Sequence, residues 1–593
     1  MNRELGVRVA KVTAWAALAF AVACHLWAAN RGLEMTDEAS YLLIALDPWH
    51  TWGHGTFHGF LLRPLYLLGG ASVVGMRWIG YAVLLITAWR LASAIRLRLG
   101  AGNGVVPALA TPVLLTAAMT VYCGGIRTPC YNWMILVGAM LAWSGWLRCG
   151  TGRLGPIELG LGLTVAVVGK WGAALILLVL FAALSLLNRK DRLGPTPRDW
   201  TTAFLTLAGA TLCFAIYAGW GGIADTLQAG VLIAQTTGSH GWFILPKYGG
   251  EILYYFYRVA RAYFWLLPAI LLFWWLAKRN PHKWTTGKIA TILFAAGLSL
   301  AAARGWWRGG IEQFGKESVL AGCWLLGVAW TVWAFRRRAE DGRRMTEGGG
   351  RRAEDGGRKT EDGGQWSVVG SPHSVLWALV LTPFLCGIGT NTSIADYAGQ
   401  GTVFFAAAGI LLLGFADPAA IFRVAAVALA GLCLIQASRV SSALLGMYRL
   451  GSVFDQTEIL ASGPEAGHLR VDPKTLAQIE SIRLILKREG VAGPIPVVGV
   501  DSLCGWIYLS GGTSPGVPWF FRDQPEYLKQ VLTKLNPQVL QTSWLWVRSS
   551  SQIGNPSPWW PSTSVPVPAR QAGEIPLLTD RGKETLSLFA PKP

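Results

Sequence analysis

Two adjacent carboxylates, Asp37 and Glu38, stand in the stretch Thr36-Asp37-Glu38-Ala39-Ser40-Tyr41, directly after the first long apolar segment of the chain. A carboxylate fixed at a membrane surface can serve as general base toward an acceptor hydroxyl or amine. The plainer alternative is a pair of solvated loop acids. A second group of candidates lies between Gly219 and Lys316, where His240, Lys247, Arg258, Arg304 and Arg308 are interleaved with Trp242, a Tyr254-Tyr255-Phe256-Tyr257 run and Trp306-Trp307. Guanidinium groups match phosphate oxygens bidentately, so Arg304, Arg308 and Arg258 with Lys247 form a candidate cationic collar for a lipid-linked phosphate. The alternative is an aromatic belt with snorkelling cations. His240 has no partner at ligand spacing, and no histidine metal site is expected.

The elements that must position these residues are membrane helices. Of 593 residues, 52% are hydrophobic and only 14% charged, with mean hydropathy +0.39. Soluble domains carry roughly 25% charge, so the sequence reads as a polytopic α-helical membrane protein. The net charge of +19 resides largely in Lys and Arg flanking apolar segments, as in cytoplasmic anchoring, and no nucleic-acid partner is expected. Nine cysteines occur without a CxxC and read as small buried hydrophobes. Cys123 and Cys130 flank one short loop and would pair only in an oxidising compartment.

The first apolar segment, Val9 to Trp27, lacks a small-residue cleavage site and reads as an uncleaved anchor. Tyr41 to Trp52 has near-helical apolar spacing and is expected to lie in the membrane interface. Phe57 to Gly75 contains Arg63 and Pro64 and is read as an interfacial or re-entrant helix. Further spans are expected near 78–95, 105–122, 131–147, 157–169, 171–187, 200–219, 259–277, 285–303, 318–335, 374–389, 400–416 and 419–436, about 13 transmembrane helices in all. This arrangement places Arg96, Arg98, Arg148, Arg153, Arg189, Lys190, Arg192, Lys278, Arg279 and Arg336–Arg338 on the cytoplasmic side. It makes 1–437 a transmembrane domain of the inner (plasma) membrane.

Within it, the loop 336–366 repeats Arg-Arg-Ala-Glu-Asp-Gly at Arg337 and again at Arg351, a mixed-charge, glycine-rich composition that cannot bury a core and is expected to be disordered. After Ser438 the composition becomes that of a soluble domain, 438–593, expected outside the membrane. Its expected elements are a helix capped by Asp472 and running to Glu489, strands at 495–500 and 539–547, and a helix at 526–535. This is a small α/β fold, with the last forty or so residues read as loop.

The acidic pair after the first span resembles the first-loop motif of the GT-C membrane glycosyltransferases, in particular the protein mannosyltransferases and the lipid A aminoarabinose transferases. The likeness continues in order with Pro64-Leu65, with Arg77 opening the next span, and with Lys170 after a glycine-rich apolar run, Gly169-Lys170-Trp171. It covers about the first 190 residues by motif and the remainder by architecture. What the resemblance implies is inverting transfer of a sugar from a polyprenyl-phosphate donor to a lipid, glycan or protein acceptor. Asp37 would be the base and Glu38 its support. Relatives commonly carry an acid in the second outer loop, where this chain has Arg127-Thr128-Pro129-Cys130-Tyr131-Asn132. Asn132 would supply only a neutral oxygen, which leaves a divalent metal cofactor open.

No phosphate-binding G-x-x-x-x-G-K-[ST] loop is present. Two other classes compete. A transporter or flippase would place ionisable residues at mid-span, and Lys170 is the candidate for that. A non-catalytic assembly protein would bind through its C-terminal α/β domain.

Overall fold

The computed structural model describes residues 3–51, 53, 55–100, 105–189, 194–236, 249–251, 253–254, 257, 373–389, 394–414, 418–445, 451–461, 463–465, 467–518, 525–548, 570–579 and 582–591. His240, Lys247, Arg258, Arg304, Arg308, the repeat loop 336–366 and the spans expected at 259–277, 285–303 and 318–335 lie outside the described residues.

The first half contains α1 (Arg3–Ala28), α2 (Asp37–Leu46), α3 (His58–Leu68), α4 (Val73–Leu99), α5 (Val105–Met119), a 3-10 turn at Thr120–Gly124, α6 (Tyr131–Arg148), α7 (Leu154–Leu187) and α8 (Pro197–Thr236). The second half begins with α9 (His373–Cys386), α10 (Ile394–Gln400), α11 (Thr402–Gly414) and α12 (Pro418–Leu445). An α/β unit follows: β1 (Glu458–Ile459), β2 (Arg470–Val471), α13 (Pro473–Arg488), β3 (Ile495–Val500), α14 (Cys504–Leu509), β4 (Gly512–Thr513), α15 (Pro525–Lys534), α16 (Pro537–Thr542), β5 (Trp544–Arg548), β6 (Arg570–Thr579) and β7 (Gly582–Ala590).

Among the described residues, five helices are long and apolar enough to cross a membrane: Glu4–Ala28, Val73–Leu99, Val105–Cys123, Leu154–Leu187 and Pro197–Ile233. They mark the chain as a membrane protein. Shorter apolar helices lie at Ser374–Cys386, Thr402–Gly414 and Leu429–Leu444. The expected pair of spans at 157–169 and 171–187 falls within the single 34-residue α7, whose backbone leaves helical geometry at Lys170 (φ −149°, ψ 88°).

Contacts with α6 show what that break does. A Cβ on Gly145 would meet Leu159 N at 2.3 Å, while the neighbouring Trp146 donates to Ser185 at 3.1 Å. In a straight helix Leu159 and Ser185 would lie about 39 Å apart. α7 therefore folds back at Lys170 into two limbs, and α6 packs along both. The first limb approaches α6 backbone to backbone, since a Cβ on Gly162 would lie 2.4 Å from Ala142 N. Small residues permit such close crossings where both helices face lipid.

α8 also bends, at Gly219, where φ is +73° and only glycine is unstrained. Its first limb lies against α7 near Gly160 and Ala203. Its second limb runs over the α2–α3 segment, with Gly222 against Phe60 and Gly230 against Gly55. There Ala229 and Leu232 join Val498, Val500, Val517, Val531 and Leu545 in one apolar cluster. The bundle helix thus supplies part of the layer that covers the sheet.

The sheet order is β4-β3-β5-β7-β6, with β3 parallel to β4 and β5 and the β6–β7 hairpin antiparallel. Asp472 caps α13 by accepting from Lys474 N at 3.1 Å and Thr475 N at 3.0 Å, as read from the sequence. Three expectations are corrected. The boundary at 438 falls inside α12, which continues to Leu445. The strand expected at 539–547 is divided, because Asn536 caps a short helix from Pro537 before β5 starts at Trp544. The final residues are not all loop, since 570–590 forms the β6–β7 hairpin.

Two further segments differ from or settle the sequence reading. α2 is helical but does not lie in an open interface, because all its residues from Glu38 to Ala45 are buried. α3, at 11 residues, spans only about 16 Å, too short to cross, and its Tyr66 meets Tyr508 of the α/β unit, OH to OH, at 3.0 Å. Cys123 and Cys130 are both buried free thiols.

Candidate functional site

The loop after α1 and the start of α2 are organised by carboxylates that serve the backbone. Glu34 accepts from Thr36 N and Glu38 N, each at 3.1 Å, and from Thr36 Oγ1 at 2.5 Å. An acid at a helix N-terminus satisfies orphan N–H groups and complements the helix dipole. The sequence reading passed over Glu34, although its place just before a helix of acidic start was the available signal.

Glu38 is fully buried and its carboxylate is committed. Arg77 clamps it bidentately, Nε to Oε1 at 3.0 Å and Nη2 to Oε2 at 2.7 Å. The N–H groups of Glu34 (3.0 Å), Arg127 (3.2 Å) and Thr128 (2.9 Å) also donate to it. Arg77 in turn donates to Ala29 O at 2.7 Å and Gly32 O at 2.9 Å. This buried pair joins the loop after α1, the start of α4 and the segment before α6. Arg77 and Glu38 therefore act as a clasp, and neither charge faces an open surface.

Asp37, one residue earlier, is half-buried. It stands one helical turn from Tyr41, and i,i+4 residues share a helix face. Burial, with the charge of Asp37 contributing after Tyr131, raises the Tyr41 phenol well above its ordinary value. The same carboxylate acts electrostatically on Tyr131 and Cys130. Tyr41 contacts His58 and Tyr131 edge-on, with ring centroids at 5.4 and 5.7 Å, and His58 lies 5.7 Å from Tyr131.

Lys170 also meets Tyr131, from the fold of α7. Its Nζ donates to Cys386 O at 3.0 Å and lies 5.1 and 4.5 Å from the ring centroids of Tyr131 and Tyr397. Asn132 Nδ2 donates to Tyr397 OH at 2.7 Å, while its buried Oδ1 has no hydrogen-bond partner among the described residues. Asp37, Asn132 and Lys170, far apart in sequence, are thus brought to one wall lined by Tyr41, His58, Tyr131 and Tyr397. Tyr41 and Tyr131 stood in the stretches read from the sequence, but none of the four was given a role there, and His58 was passed over. Four helices, α2, α3, α6 and α10, had to converge before they could be recognised.

The α/β unit closes over this end of the bundle. Gly505 N donates to Met35 O at 2.9 Å, and a Cβ on Gly505 would press into the Met35 side chain at 2.5 Å. Further backbone bonds run from Gly32 N to Arg470 O, Arg470 N to Asn30 O, and Gly53 N to Gly516 O, at 2.7 to 2.8 Å. Glu465 accepts from Val73 N at 2.7 Å and from Tyr508 OH at 2.5 Å, while its Oε2 is buried without a partner among the described residues.

Among the described residues, the wall around Asp37 offers few ligands for a divalent ion. Glu38 is consumed by the clasp, Asn132 offers a neutral oxygen, and Lys170 adds positive charge. Among the described residues no cluster of three His, Cys, Asp or Glu side chains has metal-ligand placement. Comparison with protein-family models, with curated proteins and with solved structures finds no match, so the functional reading rests on this geometry.

Proposed function

We propose that this chain is an integral membrane glycosyltransferase of the GT-C kind, moving a sugar from a polyprenyl-phosphate donor to a lipid, glycan or protein acceptor. The observation that carries the reading is that Lys170 and Asp37 converge on Tyr131, Lys170 Nζ lying 5.1 Å from its ring centroid and Asp37 acting on it electrostatically. Asp37 accepts the proton of the acceptor hydroxyl or amine as that group attacks the anomeric carbon. Lys170 balances charge on the departing lipid phosphate, whose polyprenyl tail stays among the helices. Transfer needs only placement and electrostatic stabilisation of the leaving phosphate. On this reading the α/β unit stands on the acceptor side, at the extracytoplasmic face of an inner membrane.

The break in α7 also favours a transporter, since broken helices with an ionisable residue form substrate sites there. Lys170, however, sits level with the first turn of α6, because Gly169 packs against Tyr131 O and Met134, and not at mid-bundle. That position favours a surface reaction over passage through the membrane.

The test is transfer from radiolabelled polyprenyl-phosphate sugars by the full chain in nanodiscs. Asp37→Asn keeps the shape and removes the basicity, so turnover is expected to fall about 10²–10⁴-fold with donor binding little changed. Wild-type turnover in Asp37→Asn would reject Asp37 as the base.

A further inference from the structure

Resting on that reading, we propose that Tyr131 and Asn132 form the subsite for the donor's sugar, with the sugar ring packed on the Tyr131 face and a sugar hydroxyl donating to Asn132 Oδ1.

Placement comes first. In the transfer, the C1–O bond to the phosphate breaks and its electron pair stays on the phosphate oxygen. A new bond forms between C1 and the acceptor atom, whose proton passes to Asp37. The anomeric carbon must then lie between the group that holds the phosphate and the group that takes the proton. Tyr131 is the residue linked to both groups: Lys170 Nζ lies 5.1 Å from its ring centroid, and the charge of Asp37 on α2 acts on it electrostatically. Tyr41 meets its ring in a T-shaped pair at 5.7 Å and His58 in a tilted one at the same distance, so no aromatic neighbour is stacked parallel on it.

The chemistry fits a sugar. One face of a pyranose or furanose presents C–H groups, apolar and weakly positive, which suit the negative face of an aromatic ring. Tyr131 is half-buried where Tyr41 and Tyr397 are buried, so it is the aromatic residue of this wall that retains surface. The neighbouring residue supplies directionality. Asn132 is 95% buried, given its 5% exposure, and its amide nitrogen is held by Tyr397. Its carbonyl oxygen is left as an acceptor without a partner among the described residues, a costly arrangement unless a bound donor group satisfies it. A hydroxyl is such a group, and the bare phosphate carrier has none at that position. The subsite therefore distinguishes a sugar-bearing lipid from the spent carrier.

The experiment measures binding to the full chain in nanodiscs of four probes: polyprenyl phosphate and polyprenyl phosphate carrying mannose, glucose or arabinose. The wild type is expected to bind at least one sugar-bearing lipid about three- to tenfold more tightly than the bare phosphate. Tyr131→Leu and Asn132→Ala should remove that preference while leaving bare-phosphate binding within about twofold, and Tyr131→Phe, which keeps the ring, should retain it. Lys170→Gln should weaken all four probes together. Thermal unfolding of each variant identifies any that is misfolded, and Tyr131→Phe against Asn132→Ala then decides the matter. An unchanged preference in Tyr131→Leu or Asn132→Ala, or a wild type that binds all four probes equally, would overturn the subsite. A wild type that binds none of them would overturn the glycosyltransferase reading itself.

Discussion

Docking of the α/β unit on the bundle should weaken as pH rises, through one carboxyl group. Glu465 reaches from the α/β unit to the first amide of α4, accepting from Val73 N at 2.7 Å. Burial raises its carboxyl from 4.5 to about 7, against the opposing hydrogen bonds of Tyr508 and Val73 and the charge of Arg77, with Glu38 adding to the rise. The facing groups are thus Arg77 of α4, Glu38 of α2 and Tyr508 of α14, with Tyr66 of α3 behind Tyr508. Below about pH 4.5 the group is protonated both docked and undocked, and docking has its full strength. Between 4.5 and about 7 the undocked carboxyl loses its proton while the docked one keeps it, so stability falls with rising pH. Above about 7 the whole penalty is present, roughly 3 kcal/mol for this displacement. Glu465→Gln keeps an acceptor and cannot ionise, so its docking should not follow this curve.

Hydrogen exchange of the segment 73–76 reads the contact directly. At each pH, the ratio of protection between Glu465→Gln and the wild type cancels the intrinsic exchange rate. That ratio should be small at pH 5 and rise to the order of 10² at pH 8. A ratio that stays constant from pH 5 to pH 8 would refute the argument, because it would mean that Glu465 keeps one protonation state in both forms.

Two other perturbations separate positions that look alike in the sequence. Glu38→Gln leaves Arg77 buried without its counter-charge, at a cost of about 3–5 kcal/mol, so folded yield by size-exclusion chromatography should collapse. Asp37→Asn, one residue away, should elute as the wild type. Gly162→Val drives a side chain into the α6 backbone at 2.4 Å and should likewise lose folded protein, typically by 1–3 kcal/mol or more. Gly172→Ala on the other limb of α7 has nothing within 4 Å and should fold normally.

Local chemistry made some elements legible in the sequence. Asp472-Pro473 announced α13 because a capping side chain and a proline at the first helical turn act within a few residues. Ile495–Val500 was readable as a strand from its own apolar run. Asp37 was marked by charge beside an apolar span, and Lys170 by charge within one. The β6–β7 hairpin was missed although Leu586, Leu588 and Ala590 alternate, buried, along β7, because the preceding stretch rich in proline, serine and tryptophan set the composition of the window.

What the tertiary structure decided is which neighbour each charged group meets. Asp37 and Glu38 are adjacent in the chain, but consecutive helical residues diverge by about 100° around the axis. Glu38 is therefore turned to Arg77, Arg127 and Thr128, and Asp37 to the wall of Tyr41 and Tyr131. Nothing local distinguishes the two acids; the positions of α4 and of the segment before α6 do. Lys170 was visible as an ionisable residue among apolar ones. Its place at the fold of α7, between Tyr131 and Tyr397, depends on α6 and the short helix Ile394–Gln400 packing from distant parts of the chain. The sequence by itself determined the membrane helices, through hydrophobic burial that any apolar run obeys. The site was decided by long-range packing, because its charges gain specific partners only when segments hundreds of residues apart come together.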